Sequence, residues 1–174
     1  MKKIIIFLVL AISINAFSQE QEKTSETNNH RANELKLNGL YIVAGAIEVT
    51  YERLLNEETG IGISAMVPLS EDIKDELQYY ISPYFRKYFG SKYAAGFFVE
   101  AFGMLNSADR NDFLSSTDEF VTDFALGIGV GGKWVTKGGF IAELNLGFGR
   151  NLFNSNQDYN NTVGKAGITV GYQF

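Results

Sequence analysis

The last ten residues of the chain, KAGITVGYQF, alternate strictly between two kinds of side chain. One set is apolar and consists of Ala166, Ile168, Val170, Tyr172 and Phe174. The residues between them, from Lys165 to Gln173, are small or polar. A period of two indicates a β-strand, because successive side chains of a pleated backbone point to opposite faces. The segment therefore predicts a strand with one apolar face and one polar face.

The same period recurs in seven earlier segments of the chain. They cover residues 46–55 and 140–150, and lie near residues 34–43, 60–68, 78–89, 93–105 and 120–136. The chain is also rich in glycine, phenylalanine and tyrosine and has only 2 prolines, a composition that favours strands. Eight strands are therefore predicted.

The connections between these segments alternate in length. NEETG, GSK and KGG are short, whereas SEDIKDEL, NSADRNDFLSSTDE and NSNQDYNN are longer and polar. Short turns at one end and long loops at the other are typical of an outer-membrane barrel. The connection near Ala44 and Gly45 is tight, although it belongs to the long-loop end. The predicted fold class is all-β, an eight-stranded antiparallel up-and-down transmembrane β-barrel.

The N-terminus has the pattern of an export signal. Lys2 and Lys3 precede a short apolar run, and Ala16 and Ser18 form a small-x-small cleavage site. The run is too short to cross a bilayer comfortably. We predict a cleaved signal peptide over 1–18, a flexible periplasmic tether over 19–33 and an outer-membrane barrel over 34–174, in a Gram-negative-type cell.

Charge and cysteine content exclude several classes of function. Without Lys2 and Lys3, the 15 basic residues become 13 against 20 acidic ones, a net charge of −7. Such a chain repels phosphate backbones, so we expect no nucleic-acid partner. The absence of cysteine excludes disulfides and thiolate metal sites.

The polar face of the predicted strands carries charges of both signs. They form a predicted lumen charge network: Lys36, Glu48, Glu52, Arg86, Glu100, Asp123, Lys133 and Glu143. Buried charges need partners, so these residues are expected to pair inside a closed barrel. A soluble ligand-binding barrel would show the same residues to water instead. Aromatic residues near strand ends, and apolar-face charges only at strand ends, favour the membrane barrel.

The C-terminal strand resembles the recognition strand of bacterial outer-membrane proteins. Its aromatic last residue and the alternating residues before it carry this resemblance: Ile168, Val170, Tyr172 and Phe174. The mature chain as a whole resembles the small OmpA-like and OmpX-like outer-membrane barrels. Its segments KLNGLYIV and EVTYERLL are similar to an uncharacterised family of short outer-membrane barrels. The resemblance implies insertion by the barrel assembly machinery, among outer-membrane lipid and lipopolysaccharide, and it implies no reaction.

Candidate catalytic residues are few. The enzymes among small outer-membrane barrels use an active-site histidine, and the single histidine here, His30, falls in the predicted tether. The lumen glutamates could supply a general acid and base, but pairing with lumen cations is the expected role. We therefore predict no catalytic, cofactor-binding or metal residue and a structural or surface-interaction role. The alternatives are an outer-membrane lipid-modifying enzyme with a carboxylate site and a soluble periplasmic barrel.

Two further motifs resemble ligand sites, but neither is predicted to bind a dedicated ligand. The acidic loops around residues 71–76 and 109–119 lack the spacing of a calcium loop, so diffuse cation attraction is expected there. GIGVGG at 127–132 matches the dinucleotide pattern Gly-x-Gly-x-x-Gly. No helical period follows it, so we place it mid-strand, where its glycines leave room in the lumen for Phe98 and Phe102.

Overall fold

Eight antiparallel strands and one short helix make up the computed structural model, which describes residues 31–70, 77–109, 120–153 and 162–174. The elements are β1 Asn33–Asn38, α1 Gly39–Ala44, β2 Ala46–Leu54, β3 Thr59–Pro68, β4 Leu77–Tyr88, β5 Gly96–Asp109, β6 Phe120–Val135, β7 Phe140–Asn151 and β8 Thr162–Gln173. Each strand pairs with its sequence neighbours, and β1 pairs with β8 to close the barrel. The predicted eight-stranded antiparallel up-and-down barrel is confirmed.

Some of the sequence predictions fall on residues outside these ranges. The signal peptide over 1–18, most of the tether, His30 and most of the acidic loop residues are among them. The structure adds that backbone contacts begin before residue 34. Asn33 starts β1, and its N–H and C=O both bond to Phe174, at 3.0 and 2.8 Å. The two ends of the barrel chain are thus tied together at one rim, which we call the termini end; the opposite rim is the loop end.

Side-chain polarity is inverted relative to a soluble protein. The strand residues whose side chains point inward include fully buried Lys36, Arg86 and Lys133. Those that point outward include Ile128 and Leu146, which are 71% and 67% exposed. The period-two pattern produces this division, because each strand alternates its side chains between the lumen and the outer surface.

The β1–β2 connection differs from its prediction. The sequence pattern placed a strand near residues 34–43, whereas β1 ends at Asn38 and α1 follows. Asn38 caps the helix through its side chain, which accepts a hydrogen bond from Leu40 N. Gly45 ends it with φ of 97°, a left-handed conformation that favours glycine. These two caps favour a helical turn over a continued strand.

The helix replaces part of the barrel wall at the loop end. The β1–β8 ladder runs only from Glu34–Gln173 to Asn38–Thr169. On its other side, β8 continues to pair with β7 as far as Arg150–Thr162. Above Asn38, α1 lies against β2 and β8 in place of a strand. No helix in the described ranges is long and apolar enough to cross a membrane.

Candidate functional site: the charged lumen

Four inward side chains from four strands meet at the centre of the lumen. Lys36 Nζ lies 2.5 Å from Glu52 Oε2 and 2.9 Å from Glu143 Oε2. Arg86 Nη1 approaches the same two oxygens at 3.1 and 2.8 Å. Two cations and two carboxylates therefore alternate around a closed cycle that links β1, β2, β4 and β7.

The cycle extends in both directions along the lumen. Toward the termini end, Glu34 lies 3.1 Å from Lys36 and 2.9 Å from Lys133. Toward the loop end, Glu100 lies 2.7 Å from Arg86 and 2.9 Å from Lys165. We call the whole set the lumen ion chain; it comprises Glu34, Lys36, Glu52, Arg86, Glu100, Lys133, Glu143 and Lys165. Each of its four carboxylates contacts two of its four cations.

The lumen ion chain is packed by aromatic side chains as well as by charge. Tyr84 donates a hydrogen bond to Glu52 at 2.8 Å, and Tyr88 donates one to the other oxygen of that carboxylate. The guanidinium of Arg86 lies 4.4 Å from the ring centre of Tyr84 and 4.2 Å from that of Phe98. Because charges taken out of water need such partners, the interior forms a neutral and cross-linked plug.

Six of the eight residues in the predicted lumen charge network belong to the lumen ion chain. The other two, Glu48 and Asp123, make other contacts. Glu48 accepts a hydrogen bond from Asn38 Nδ2 at 2.6 Å. Asp123 Oδ1 accepts from the backbone N–H groups of Phe124 and Phe153, at 2.7 and 3.2 Å. Their hydrogen bonds thus hold the loop-end rim, where β1 meets α1 and where β6 lies beside the end of β7.

Sequence reasoning left two members, Glu34 and Lys165, out of the predicted network. Glu34 is the first residue of the strand predicted near residues 34–43 and is not assigned a partner from the sequence. Lys165 was assigned to the polar face of the C-terminal strand but was not assigned a partner. Both carry the same signal as the other members, an inward position in the period of two, so the pattern was sufficient to find them.

Three glycines of GIGVGG, Gly127, Gly129 and Gly131, lie on β6 opposite inward residues of β5, whereas Gly132 lies opposite the outward Phe97. Phe102 faces Gly127 and Phe98 faces Gly131 in the ladder. A Cβ at Gly127 would lie 2.3 Å from the Phe102 ring, and one at Gly131 would lie 2.4 Å from the Phe98 ring. The prediction that this motif makes room for the two phenylalanines is confirmed at both positions. Gly129, between them, faces Glu100 and its nearest neighbour is the Leu146 carbonyl oxygen at 3.1 Å.

One pair in the lumen has the residue types of a nucleophile and a base. Lys165 Nζ lies 3.4 Å from Ser82 Oγ, and both side chains are buried. A Ser–Lys pair activates the hydroxyl only if the amine can accept its proton. Here Lys165 is held by Glu100 and donates to Ser82, while Ser82 donates to the Gly103 carbonyl oxygen at 2.8 Å. The geometry is that of a structural contact. Within the described ranges, no group of three or more His, Cys, Asp or Glu side chains is placed to hold a metal ion.

The outer surface is an apolar belt with charges at its borders. The residues of the predicted C-terminal recognition pattern point outward: Ile168, Val170 and Tyr172 on β8, and Phe174 directly after it. Arg53 and Arg150 point outward near strand ends, as does Lys87. Lys87 Nζ lies 2.5 Å from Glu58 Oε2 in the β2–β3 turn, and its hydrogen bond and charge lower the pKa of the Glu58 carboxyl.

Comparisons with known proteins agree with this fold. The N-terminal β-barrel domain of Pseudomonas aeruginosa OprF superimposes with a TM-score of 0.61 over 83% of this chain and 98% of that domain, at 16% sequence identity. The similarity shows a shared fold, and the expected relation to the small OmpA-like barrels is confirmed at that level. The chain matches no protein-family model. It shows no significant sequence similarity to a curated protein.

Proposed function

We propose that this protein is an integral outer-membrane barrel with a closed lumen, a structural or surface-interaction role and no catalytic activity. One observation carries the proposal: the barrel buries charges and exposes apolar side chains. Lys36 and Lys133 are fully enclosed, while Leu146 and Phe148 stand outside. This polarity suits a barrel surrounded by lipid and does not suit one surrounded by water.

The size of the apolar belt supports a lipid environment. Soluble monomers rarely show contiguous apolar patches larger than about 300 to 600 Å². Here the outward positions of all eight strands carry large apolar side chains, among them Leu35, Ile61, Phe97, Leu144 and Val170. In water this surface would aggregate, whereas in a bilayer it needs no further cover.

The placement of outward charges supports the same conclusion. A charged side chain at the bilayer centre costs about 2.5 to 3.5 kcal/mol on insertion scales, and one near the interface costs little. Arg53 lies on β2 one residue before that strand ends, and Arg150 on β7 likewise. Long side chains at such positions reach the headgroup region, so the belt between them stays free of charge.

The lumen supports a structural role over transport. Its cross-section is occupied by the lumen ion chain and by the rings of Tyr84, Tyr88 and Phe98. An eight-stranded barrel has an interior just wide enough for side chains to fill. Function would then reside on the loops and on the rim that presents them.

The C-terminal strand supports insertion by the barrel assembly machinery. Ile168, Val170 and Tyr172 form one outward row on β8, the strand that closes against β1, and Phe174 continues this row directly after the strand. A strand that is to be recognised before closure must present its side-chain row without help from a partner strand. The exported, cleaved form of the chain is part of the same proposal.

Fractionation tests the membrane location. Membranes from expressing cells are washed with sodium carbonate at high pH, and the pellet is analysed on gels with and without boiling. We expect the chain to remain in the pellet and to change its mobility when boiled, as folded barrels do. Release by carbonate or salt, together with unchanged mobility, would show a soluble barrel instead.

A comparison of lipid profiles tests the proposal that the protein has no catalytic activity. Lipid A and phospholipids are extracted from cells with and without the gene and analysed by mass spectrometry. We expect identical acylation patterns. A difference restored by the wild type but not by a Glu100→Gln variant that keeps its heat-modifiable mobility would establish a carboxylate-based lipid-modifying enzyme.

A further inference from the structure

The loop-end half of β8 has a free edge where α1 replaces the wall. Asn38 is the last β1 residue paired with β8, opposite Thr169. Beyond it, the Asn38 side chain extends the ladder by one step. Its Oδ1 accepts from Ile168 N at 3.3 Å, and its Nδ2 donates to the Ala166 carbonyl oxygen at 3.1 Å.

The next backbone groups of this edge have no hydrogen-bond partner among the described residues. In a strand, alternate residues direct both N–H and C=O to the same side. Ile168 N and Ala166 O face the β1 side of β8. The N–H of Ala166 and both backbone groups of Gly164 therefore face that side too, where β1 has ended and a gap separates β8 from α1. Across the described part of the chain, none of these three groups takes a hydrogen bond. A free edge inside a bilayer is costly, because the hydrocarbon offers no hydrogen bonds.

The outer surface beside this edge has an open notch. A Cβ built on Gly164 would meet no atom of a described residue within 4 Å. Its ladder partner Phe148 is 64% exposed, and on the other side of the gap Val43 of α1 is 87% exposed. A groove with apolar walls and unpaired backbone groups along one side therefore opens toward the lipid.

Among the described residues, one cation stands above the notch. Arg150 points outward on β7 and is the ladder partner of Thr162, two residues beyond Gly164. A transmembrane strand of about 9 to 11 residues crosses the apolar layer. Thr162 lies ten residues before Tyr172 of the termini end, so Arg150 is at the level of the outer headgroups. It forms no ion pair with any other described residue.

We infer that this notch binds one anionic, phosphorylated and acylated lipid of the outer leaflet. The phosphate pairs with Arg150, the polar linkage below it meets the free groups of Gly164 and Ala166, and an acyl chain lies between Phe148 and α1. Charge complementarity and depth both favour a lipid over a second barrel, which would bring another Arg150 to the same place. The inference rests on the proposed membrane location.

Native mass spectrometry of the full chain in neutral detergent tests the site, with phosphatidylglycerol as the probe. We expect one lipid per barrel. Arg150→Gln should weaken binding about fivefold, the effect of one interfacial cation, and Gly164→Leu should weaken it by filling the notch. Arg53→Gln removes an outward cation at the other border, and Ala101→Leu enlarges an outward residue elsewhere on the belt. Both controls should bind like the wild type. Heat-modifiable mobility shows that each variant is folded.

Several results would overturn the inference. The first is that the barrel retains no phosphatidylglycerol. The second is that it retains phosphatidylcholine equally well. The third is that the two control variants lose as much binding as Arg150→Gln and Gly164→Leu. A dimer that Gly164→Leu dissociates would assign the notch to a second copy of the chain. A protein that resists carbonate extraction but retains no phosphatidylglycerol refutes this site and leaves the membrane location intact.

Discussion

Lys133 Nζ lies 2.9 Å from Glu34 Oε1 across the lumen, although its partner in the β6–β7 ladder is Glu143. Glu143 instead contacts Lys36 and Arg86. The ion pairs therefore cross-link strands that are distant around the barrel wall. A lumen held in this way couples the closing β1–β8 seam to the opposite side of the barrel.

Glu34→Gln should destabilise the barrel strongly. Lys133 would keep its charge in a buried position and lose its carboxylate, a change that typically costs about 3 to 5 kcal/mol. The measurement is urea unfolding in detergent, followed by the fluorescence of Trp134, the single tryptophan of the chain.

Glu58→Gln is the control for this measurement, because its pair with Lys87 is exposed and should leave the midpoint unchanged. Equal midpoints for Glu34→Gln and the wild type would mean that the Lys133–Glu34 pair does not form.

Arg86→Met should fold poorly, whereas the neighbouring Lys87→Met should fold normally. The two residues are adjacent on β4, but Arg86 points into the lumen and serves three carboxylates, while Lys87 points outward. Refolding yield into detergent, read from the heat-modifiable gel shift, checks the contrast. Similar yields for the two variants would contradict a charge-locked lumen.

Alanine substitutions along GIGVGG should differ in cost. At Gly127 and Gly131, a Cβ would lie 2.6 and 2.3 Å from backbone carbonyl oxygens of β7, as well as against a phenylalanine ring. We expect Gly127→Ala and Gly131→Ala each to lower the free energy of unfolding by about 1 to 3 kcal/mol, as substitutions that overpack a core do. Gly129→Ala meets its nearest atom at 3.1 Å and should cost less. Urea midpoints give the order, and a larger loss at Gly129 would show that the phenylalanine packing is misassigned.

Asn38→Ala should loosen the wall around α1. Its side chain bonds to Leu40 N, Ile168 N, Ala166 O and Glu48. Losing these contacts frees the backbone N–H of Ile168, which bonds to Asn38 Oδ1, so amide exchange should accelerate at Ile168. Asn33→Ala removes an exposed hydrogen bond from Tyr51 and is the control. Unchanged protection in Asn38→Ala would show that α1 is held by packing alone.

Local pattern was sufficient to predict most of the architecture. The period of two located the strands and assigned Lys36, Arg86 and Glu143 to one face. The helix α1 was missed because its apolar residues followed a strand, although Asn38 and Gly45 are standard cap residues. These two cap residues predict a helix between them and therefore the end of β1 at Asn38.

The sequence by itself determined that charges would face one side of each strand and apolar residues the other, because that division depends only on the alternation of side chains along a pleated backbone. Only the tertiary structure decided which charges meet. Register would have paired Lys133 with Glu143, yet closure of the sheet brings β1 and β6 within side-chain reach, and Lys133 pairs with Glu34. Such contacts span the lumen, so they depend on how the barrel closes, which no local pattern specifies.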